Sequence, residues 1–76
     1  KMLRLSTANM PEDWSDIGDV RHSETEYGLM VWPSECEPHL SDWYRPLNKL
    51  ALELGCCAIE FDRDNEIDTA VKVYEW

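Results

Sequence analysis

The sequence has few basic residues, and this shortage excludes several classes of ligand. Its 76 residues contain 7 Lys and Arg against 16 Asp and Glu, which gives a formal net charge of −9. Nucleic acid and anionic lipid surfaces would repel such a chain, so neither is expected to bind it directly. The expected partner is a basic protein.

Long apolar segments are also missing. The longest run without a charged residue, 27–34, has eight residues, whereas a membrane helix needs about 20. No basic segment leads into an apolar stretch, so no secretory signal is expected. Lys1 precedes Met2 and indicates that the natural chain begins at Met2. We expect a cytoplasmic protein that does not bind membranes.

Cysteine and glycine are scarce. Cys36, Cys56 and Cys57 form an odd set without the spacing of a disulfide framework, so reduced thiols are expected. Only three glycines occur, and none belongs to a glycine-rich phosphate loop. No cofactor is expected.

The candidate metal motifs are incomplete. The segment 62–68 resembles the start of a calcium loop, but Ile67 stands where Gly is needed and Val73 where Glu is needed. Cys36 and His39 have the spacing of half a zinc site. The remaining thiols, at 56 and 57, enter a predicted core strand, which favours buried cysteines over a metal site.

No catalytic constellation stands out either. The chain has no Gly-x-Ser-x-Gly motif, and nothing in the pattern brings His22 or His39 to a serine. A chain this short offers no deep cleft to raise the pKa of one carboxyl group in a glycosidase pair. We expect no enzyme activity, although a small metal protein or enzyme remains an alternative.

Local patterns predict an α+β fold in a single domain spanning residues 1–76. A chain of this size buries only about 60% of its unfolded surface, but 43% hydrophobic residues and four Trp exceed the content of a disordered acidic tail. The predicted elements, in order, are a strand at 2–6, a helix at 11–17, a loop at 19–26, a strand at 27–32, a loop at 34–39, a helix at 40–54, a strand at 57–62 and a strand at 71–76.

The second helix has the strongest pattern, because one stripe recurs at three and four residues: Leu40, Tyr44, Leu47, Leu50, Ala51 and Leu54. An interior Pro46 would cost about 3 kcal/mol, so the regular helix is expected to begin near Arg45, after a separate turn. The sheet should be four-stranded and mixed or antiparallel, with two helices on one face. A right-handed crossover from 27 to 62 would make those two strands parallel.

The acidic residues are concentrated in segments. Residues 12–26 have a net charge of −5, residues 35–42 hold three acids and no Lys or Arg, and residues 60–68 have a net charge of −4. In the last segment an acid recurs at every second position, which would space same-side carboxylates by about 6.7 Å in an extended chain. The candidate partner-binding residues are Asp13, Asp16, Asp19, Glu24 and Glu26 in one patch, Glu35 and Glu37 near it, and Asp62, Asp64, Glu66 and Asp68 in a second patch.

Such an array would suit a groove of Lys and Arg that normally follows phosphates, and its binding would be weakened by salt. The alternative is that these acids form solvated loops, including the tip of a hairpin after residue 62, and serve only solubility. Among the tryptophans, Trp14 is predicted to be in the core, whereas Trp32 and Trp43 lie beside acidic loops and are interface candidates.

Several segments, spread in order along nearly the whole chain, resemble a small uncharacterised family encoded on bacterial plasmids and other mobile elements. They read LSTANM at 5–10, YGLMV at 27–31, LALELGC at 50–56, FDRD at 61–64 and VYEW at 73–76. A His is common in that family where this chain has Asn9, and a Gly where it has Asn65. The resemblance supplies no catalytic chemistry.

In size, acidity and mobile-element relatives the chain is similar to anti-CRISPR proteins. That resemblance implies an acidic DNA mimic, a monomer acting in a bacterial host cell. Its target would be the basic DNA- or PAM-binding surface on the large subunit of a type I surveillance complex (Cascade), with type I-C preferred. The alternative is an antitoxin-like or accessory protein of a mobile element that neutralises another basic protein.

Overall fold

The structure, a computed structural model, describes residues 1–35 and 39–75. Within them the elements are β1 (Met2–Leu5), two 3-10 turns (Thr7–Asn9 and Trp14–Asp16), β2 (Arg21–Thr25), β3 (Gly28–Trp32), α1 (Arg45–Glu53) and β4 (Ala58–Asp62). The predicted α+β class is confirmed, with one α-helix and two short turns in place of two helices.

The four strands form one mixed sheet in the order β1-β4-β3-β2. β1 pairs with β4 in parallel, and the other two pairings are antiparallel. The register places Phe61 of β4 between Leu5 of β1 and Leu29 of β3, and these three side chains are fully buried. One face of the sheet therefore supplies the core.

Helix α1 covers that face. Leu47 and Ala51 of α1 belong to the same buried cluster as Val31 and Ile59 of the sheet. As predicted, the regular helix begins at Arg45. The predicted apolar stripe is buried only in part: Leu40, Tyr44, Leu47 and Ala51 are buried, Leu50 is half-buried and Leu54 is 45% exposed.

The loop predicted at 19–26 is wrong, because residues 21–25 form β2. All five side chains of β2 are exposed, so no apolar alternation marks the strand in the sequence. It exists because a tight turn brings it antiparallel to β3, with Thr25 opposite Gly28.

The strand predicted at 71–76 is also wrong: residues 71–75 form no strand, and Trp76 lies outside the described residues. Val71 packs against the core, and the Tyr74 amide donates to the Ala8 carbonyl at 2.7 Å. Val71 therefore packs on the core from irregular structure, whereas Val73 is 42% exposed, and the alternation of the two valines does not mark a strand.

The helix predicted at 11–17 is reduced to the 3-10 turn at Trp14–Asp16. Asp13, which precedes that turn, has φ −86° and ψ 48° and is not helical. The predicted crossover is wrong as well, because β3 and β4 are antiparallel neighbours. β3 ends and β4 begins at the same end of the sheet, so the connection through α1 leaves and re-enters the sheet at that end and does not cross it.

Candidate functional site

A cleft of about 670 Å³ opens between the start of α1 and two irregular segments of the chain, one that follows β1 and one that follows β4. Its walls come from residues 9–16, from residues 42–47 around the start of α1, and from residues 70–74. Three carboxylates, two aromatic rings and one lysine line it: Asp13, Asp16, Asp42, Trp43, Tyr74 and Lys72. The cleft therefore combines acidic and aromatic surfaces.

Trp43 is the fixed wall of the cleft. Its indole N–H donates to Oδ1 of Asp16 at 3.1 Å. Its ring packs edge-on against Tyr44 and Phe61, with centroid separations of 5.7 and 6.2 Å. Since both of those rings are fully buried, Trp43 and the carboxylate bonded to it are held in place by the core.

Asp42 has an internal partner. Nη1 of Arg45 lies 3.3 Å from Oδ1 of Asp42, and the two side chains are 49% and 99% exposed, Arg45 and Asp42 respectively. Nη2 of Arg45 also donates to the carbonyl of Leu40 at 2.8 Å. Exposed pairs of this kind contribute little stability, because water and salt screen them.

The inner edge of the cleft is built by Asn9, which is 1% exposed. Its Nδ2 donates to the carbonyls of Asp68 and Lys72 at 2.9 and 3.2 Å. Its Oδ1 accepts from the amides of Ser6 and Asp68, both at 3.2 Å. One side chain thus ties the end of β1 to the segment after β4.

The opposite wall carries Tyr74 and Lys72. Nζ of Lys72 lies 4.9 Å from the centroid of the Tyr74 ring. Burial raises the pKa of Tyr74 above its ordinary value of 10.0, so the phenol is neutral at physiological pH. The single lysine of the cleft therefore contacts an aromatic face.

A second acidic surface lies where the β2–β3 turn meets the end of β4. Gly28 is opposite Asp62 in the register, and the Arg63 amide donates to the Tyr27 carbonyl at 3.1 Å. This brings Glu24 and Glu26 to the same sheet end as Asp62 and Asp64, with Glu24 on the face of Leu29 and Asp62 on the opposite face; we call these four acids the hairpin-end group. Acids from both patches predicted from the sequence therefore lie at this end.

The other predicted acids are elsewhere. Asp19 and Glu35 flank the opposite end of the sheet, where Arg21 pairs with Trp32. Glu66 is exposed, and the half-buried Asp68 accepts the Ala70 amide through Oδ1 at 2.9 Å. Glu37 lies outside the described residues. Asp13 and Asp16 are the two predicted acids that line the cleft.

The predicted ladder of carboxylates from 60 to 68 is wrong. The strand ends at Asp62, and the chain turns there, with the Asn65 amide donating to the Asp62 carbonyl at 3.0 Å. Extended spacing therefore holds only for Glu60 and Asp62. No strand follows within the described residues, so the segment is not the tip of a hairpin.

Lysine and arginine side chains contact aromatic rings more often than they pair with carboxylates. Arg21 lies 4.8 Å from the centroid of Trp32, and Arg63 lies 4.9 Å from that of Tyr27. Among residues 1–35 and 39–75, Asp42 is the one acid within 4.0 Å of a basic group. Within those residues, the candidate acids have no lysine or arginine within 4.0 Å.

Metal-ligating groups do not converge in the part of the chain that the structure describes: no three His, Cys, Asp or Glu side chains lie together. Cys56 is buried as predicted, but Cys57 is exposed and donates through Sγ to the Lys1 carbonyl at 3.3 Å. No described helix is long and apolar enough to cross a membrane.

Sequence reasoning missed Asp42 and Tyr74 as members of one site. They are 32 positions apart in the sequence, and the segment carrying Tyr74 was expected to be a strand. Trp43 was an interface candidate, and it does line the cleft, whereas Trp32 lies beneath Arg21. Trp14 is half-buried against the core.

The fold and these surfaces define the protein as a small, acidic α+β domain with an aromatic cleft. The chain belongs to the family of unknown function DUF5983 and matches the C-terminal domain of that family over residues 2–76. No curated protein and no solved structure matches the chain.

Proposed function

We propose that this protein binds a basic, nucleic-acid-binding surface of a partner protein and thereby blocks nucleic acid from that surface. The observation that carries the proposal is the state of the acids. The chain has a net charge of −9. The described carboxylates other than that of Asp42 have no basic group within 4.0 Å. A partner that supplies lysines and arginines would relieve this repulsion.

The hairpin-end group supports mimicry of a phosphate backbone. Its acids are carried by hydrogen-bonded strands or by the turns directly attached to them, so their backbone positions are set before binding. Preorganised charges lose less conformational entropy on association than charges on long flexible loops. The continuous ladder expected from the sequence does not contribute to this proposal.

The candidate partner is the basic DNA- or PAM-binding surface on the large subunit of a type I surveillance complex, with type I-C preferred. On this proposal the protein is an anti-CRISPR inhibitor without enzyme activity, and acts as a monomer in the bacterial cytoplasm. The resemblance to anti-CRISPR proteins in size, acidity and mobile-element relatives supports this choice of partner.

An antitoxin-like or accessory role is the alternative, in which the same acids neutralise a different basic protein of a mobile element. Capture from host lysate followed by mass spectrometry separates the two partners. Recovery of surveillance-complex subunits supports the inhibitor, whereas recovery of a small toxin supports the alternative.

The first test is a pair of charge-reversal variants. Glu26→Lys with Asp64→Lys alters the hairpin-end group, and Glu12→Lys with Glu53→Lys makes the same change in net charge at exposed sites outside that group and outside the lining of the cleft. We expect the first variant to lose at least about tenfold in affinity for the purified surveillance complex, because like charges would then face each other. Equal losses in both variants would mean that only net charge matters and would contradict the proposed surface.

A further inference from the structure

We propose that the cleft between residues 9–16, the start of α1 and residues 70–74 binds the side chain of a single arginine, presented by a basic segment of the partner. This inference rests on the proposed function for the source of the arginine. It adds a second, more specific site to the hairpin-end group, and it names the chemistry that the site recognises.

The size of the cleft suits a side chain. Its volume of about 670 Å³ falls in the range of about 300–1,000 Å³ that is common for small-molecule pockets. Its lining alternates flat apolar surface, from Trp43, Pro11 and Pro46, with carboxylates at Asp13 and Asp16. An aliphatic stem with a charged, planar head matches that combination.

The charges in the cleft favour a cation. Asp13 and Asp16 are exposed and have no basic group within 4.0 Å. Asp16 accepts the Trp43 indole N–H through Oδ1, and this bond orients the carboxylate while leaving Oδ2 for a second donor. The single lysine in the lining, Lys72, lies over the ring of Tyr74.

Arginine fits this arrangement better than lysine. A guanidinium group is planar, so it stacks on an aromatic face while its N–H groups donate to carboxylate oxygens in the plane. A lysine ammonium carries a compact, strongly hydrated charge and makes no such planar match. The cleft is lined both by the Trp43 ring and by the carboxylates of Asp13 and Asp16, so it holds the two kinds of partner that a guanidinium takes.

The molecule itself contains each contact separately. Arg21 stacks on Trp32, Arg63 stacks on Tyr27, and Arg45 reaches Asp42 at the rim of the cleft. Arginine is thus already accommodated on aromatic rings and on a carboxylate within this fold. The cleft brings the Trp43 ring together with Asp13 and Asp16, whereas Arg45 at its rim pairs with Asp42.

Rigid walls would preserve affinity for so small a ligand. Trp43 is packed against two buried rings, and Asn9 fixes the inner edge through bonds to Asp68 and Lys72. Binding therefore costs little ordering of the site, which raises the affinity available from a few contacts.

The test is an NMR titration that needs no partner protein. Uniformly ¹⁵N-labelled protein is titrated with acetyl-Gly-Arg-Gly-amide, and the indole N–H signal of Trp43, assigned through Trp43→Phe, is followed. Matched peptides carry lysine or the neutral isostere citrulline in place of arginine. We expect a saturable shift with arginine, binding at least about threefold weaker with lysine, and no saturation with citrulline, because both charge and planarity are needed.

Paired variants locate the site. Asp13→Asn with Asp16→Asn should weaken binding of the arginine peptide by about tenfold or more, whereas Glu53→Gln with Glu66→Gln, which removes the same charge outside the cleft, should change it less than about twofold. Equal weakening in both variants, or equal binding of the arginine and citrulline peptides, would overturn the inference.

The same variants separate this inference from the proposed function. If Asp13→Asn with Asp16→Asn retains full affinity for the partner complex while Glu26→Lys with Asp64→Lys loses it, the cleft does not receive the partner's arginine and the proposed function stands. If the arginine peptide binds the cleft but no acidic variant alters binding to the complex, the proposed function is wrong and the arginine site stands.

Discussion

At the scale of single residues, Asn9 links the end of β1 to the segment after β4. It is buried and bonds to Ser6, Asp68 and Lys72 through both atoms of its amide. We predict that Asn9→Ala lowers the free energy of unfolding by about 3 kcal/mol, because it leaves buried backbone groups without partners. Ser15→Ala, at an exposed position, is the control and should change it by less than about 0.5 kcal/mol.

Urea unfolding followed by tryptophan fluorescence measures both variants. Asn9→Asp adds a sharper comparison, since it keeps the acceptor but replaces the donor that faces the Asp68 and Lys72 carbonyls. It should also be destabilising near neutral pH. If Asn9→Ala unfolds at the same urea concentration as Ser15→Ala, the hydrogen bonds of Asn9 contribute nothing to the free energy of unfolding.

The raised pKa of Tyr74 predicts that the stability of the folded protein falls at alkaline pH. Burial raises its pKa in the folded protein, so the folded state holds the phenol proton more tightly than the unfolded state. Its contribution to stability is fully present below the unfolded pKa, about 10, and is lost as the pH rises through the folded pKa. Tyr74→Phe should therefore lose less stability than the parent protein between pH 10 and 11.5, as thermal unfolding at each pH would measure. An equal loss of stability in both proteins would show that ionisation of Tyr74 does not cause the alkaline destabilisation.

At the scale of elements, two glycines support different structures. A Cβ on Gly28 would lie 1.8 Å from the Phe61 carbonyl oxygen, between β3 and β4, whereas Gly55 has φ +70° and open space around it. We predict that Gly55→Ala costs about 1 kcal/mol through the left-handed conformation alone. Gly28→Ala should cost more, since the backbones of two paired strands must separate. A smaller loss for Gly28→Ala in chemical denaturation would contradict this register.

The elements that the sequence predicted correctly are those whose side chains face the core. β1, β3, β4 and the start of α1 carry apolar periodicity or a proline signal, and these are physical consequences of burial or of backbone geometry. β2 was missed because an exposed edge strand needs no apolar face and is formed by its pairing with β3. The segment at 71–75 was mistaken for a strand because Val71 packs on the core from irregular structure.

At the scale of the whole molecule, charge distribution is the central property. Repulsion among unpaired acids opposes the compact state, so Glu26→Lys with Asp64→Lys should leave the free energy of unfolding unchanged or raise it. Both side chains are exposed. Thermal unfolding at low ionic strength measures this effect, and a marked loss of stability would mean that these acids are structural.

The sequence predicted the presence of acidic surfaces but not their grouping. Glu24 and Glu26 lie at the same sheet end as Asp62 and Asp64 only because the β2–β3 turn is paired with the end of β4. The cleft depends on contacts between residues far apart in the sequence, such as the bond from Trp43 to Asp16. Charge can be counted along a chain, whereas the convergence of distant side chains requires the tertiary fold.

Inhibition of DNA binding can be measured directly in a gel-shift assay of a purified type I surveillance complex with its target DNA, with and without this protein. We expect the protein to prevent formation of the DNA-bound species at low salt, and we expect the effect to weaken as salt is raised from about 50 to 200 mM because the contact is electrostatic. Glu26→Lys with Asp64→Lys should restore DNA binding. Undiminished DNA binding at saturating protein and low salt, across type I-C and other type I complexes, would show that the protein is not a DNA mimic acting on these complexes.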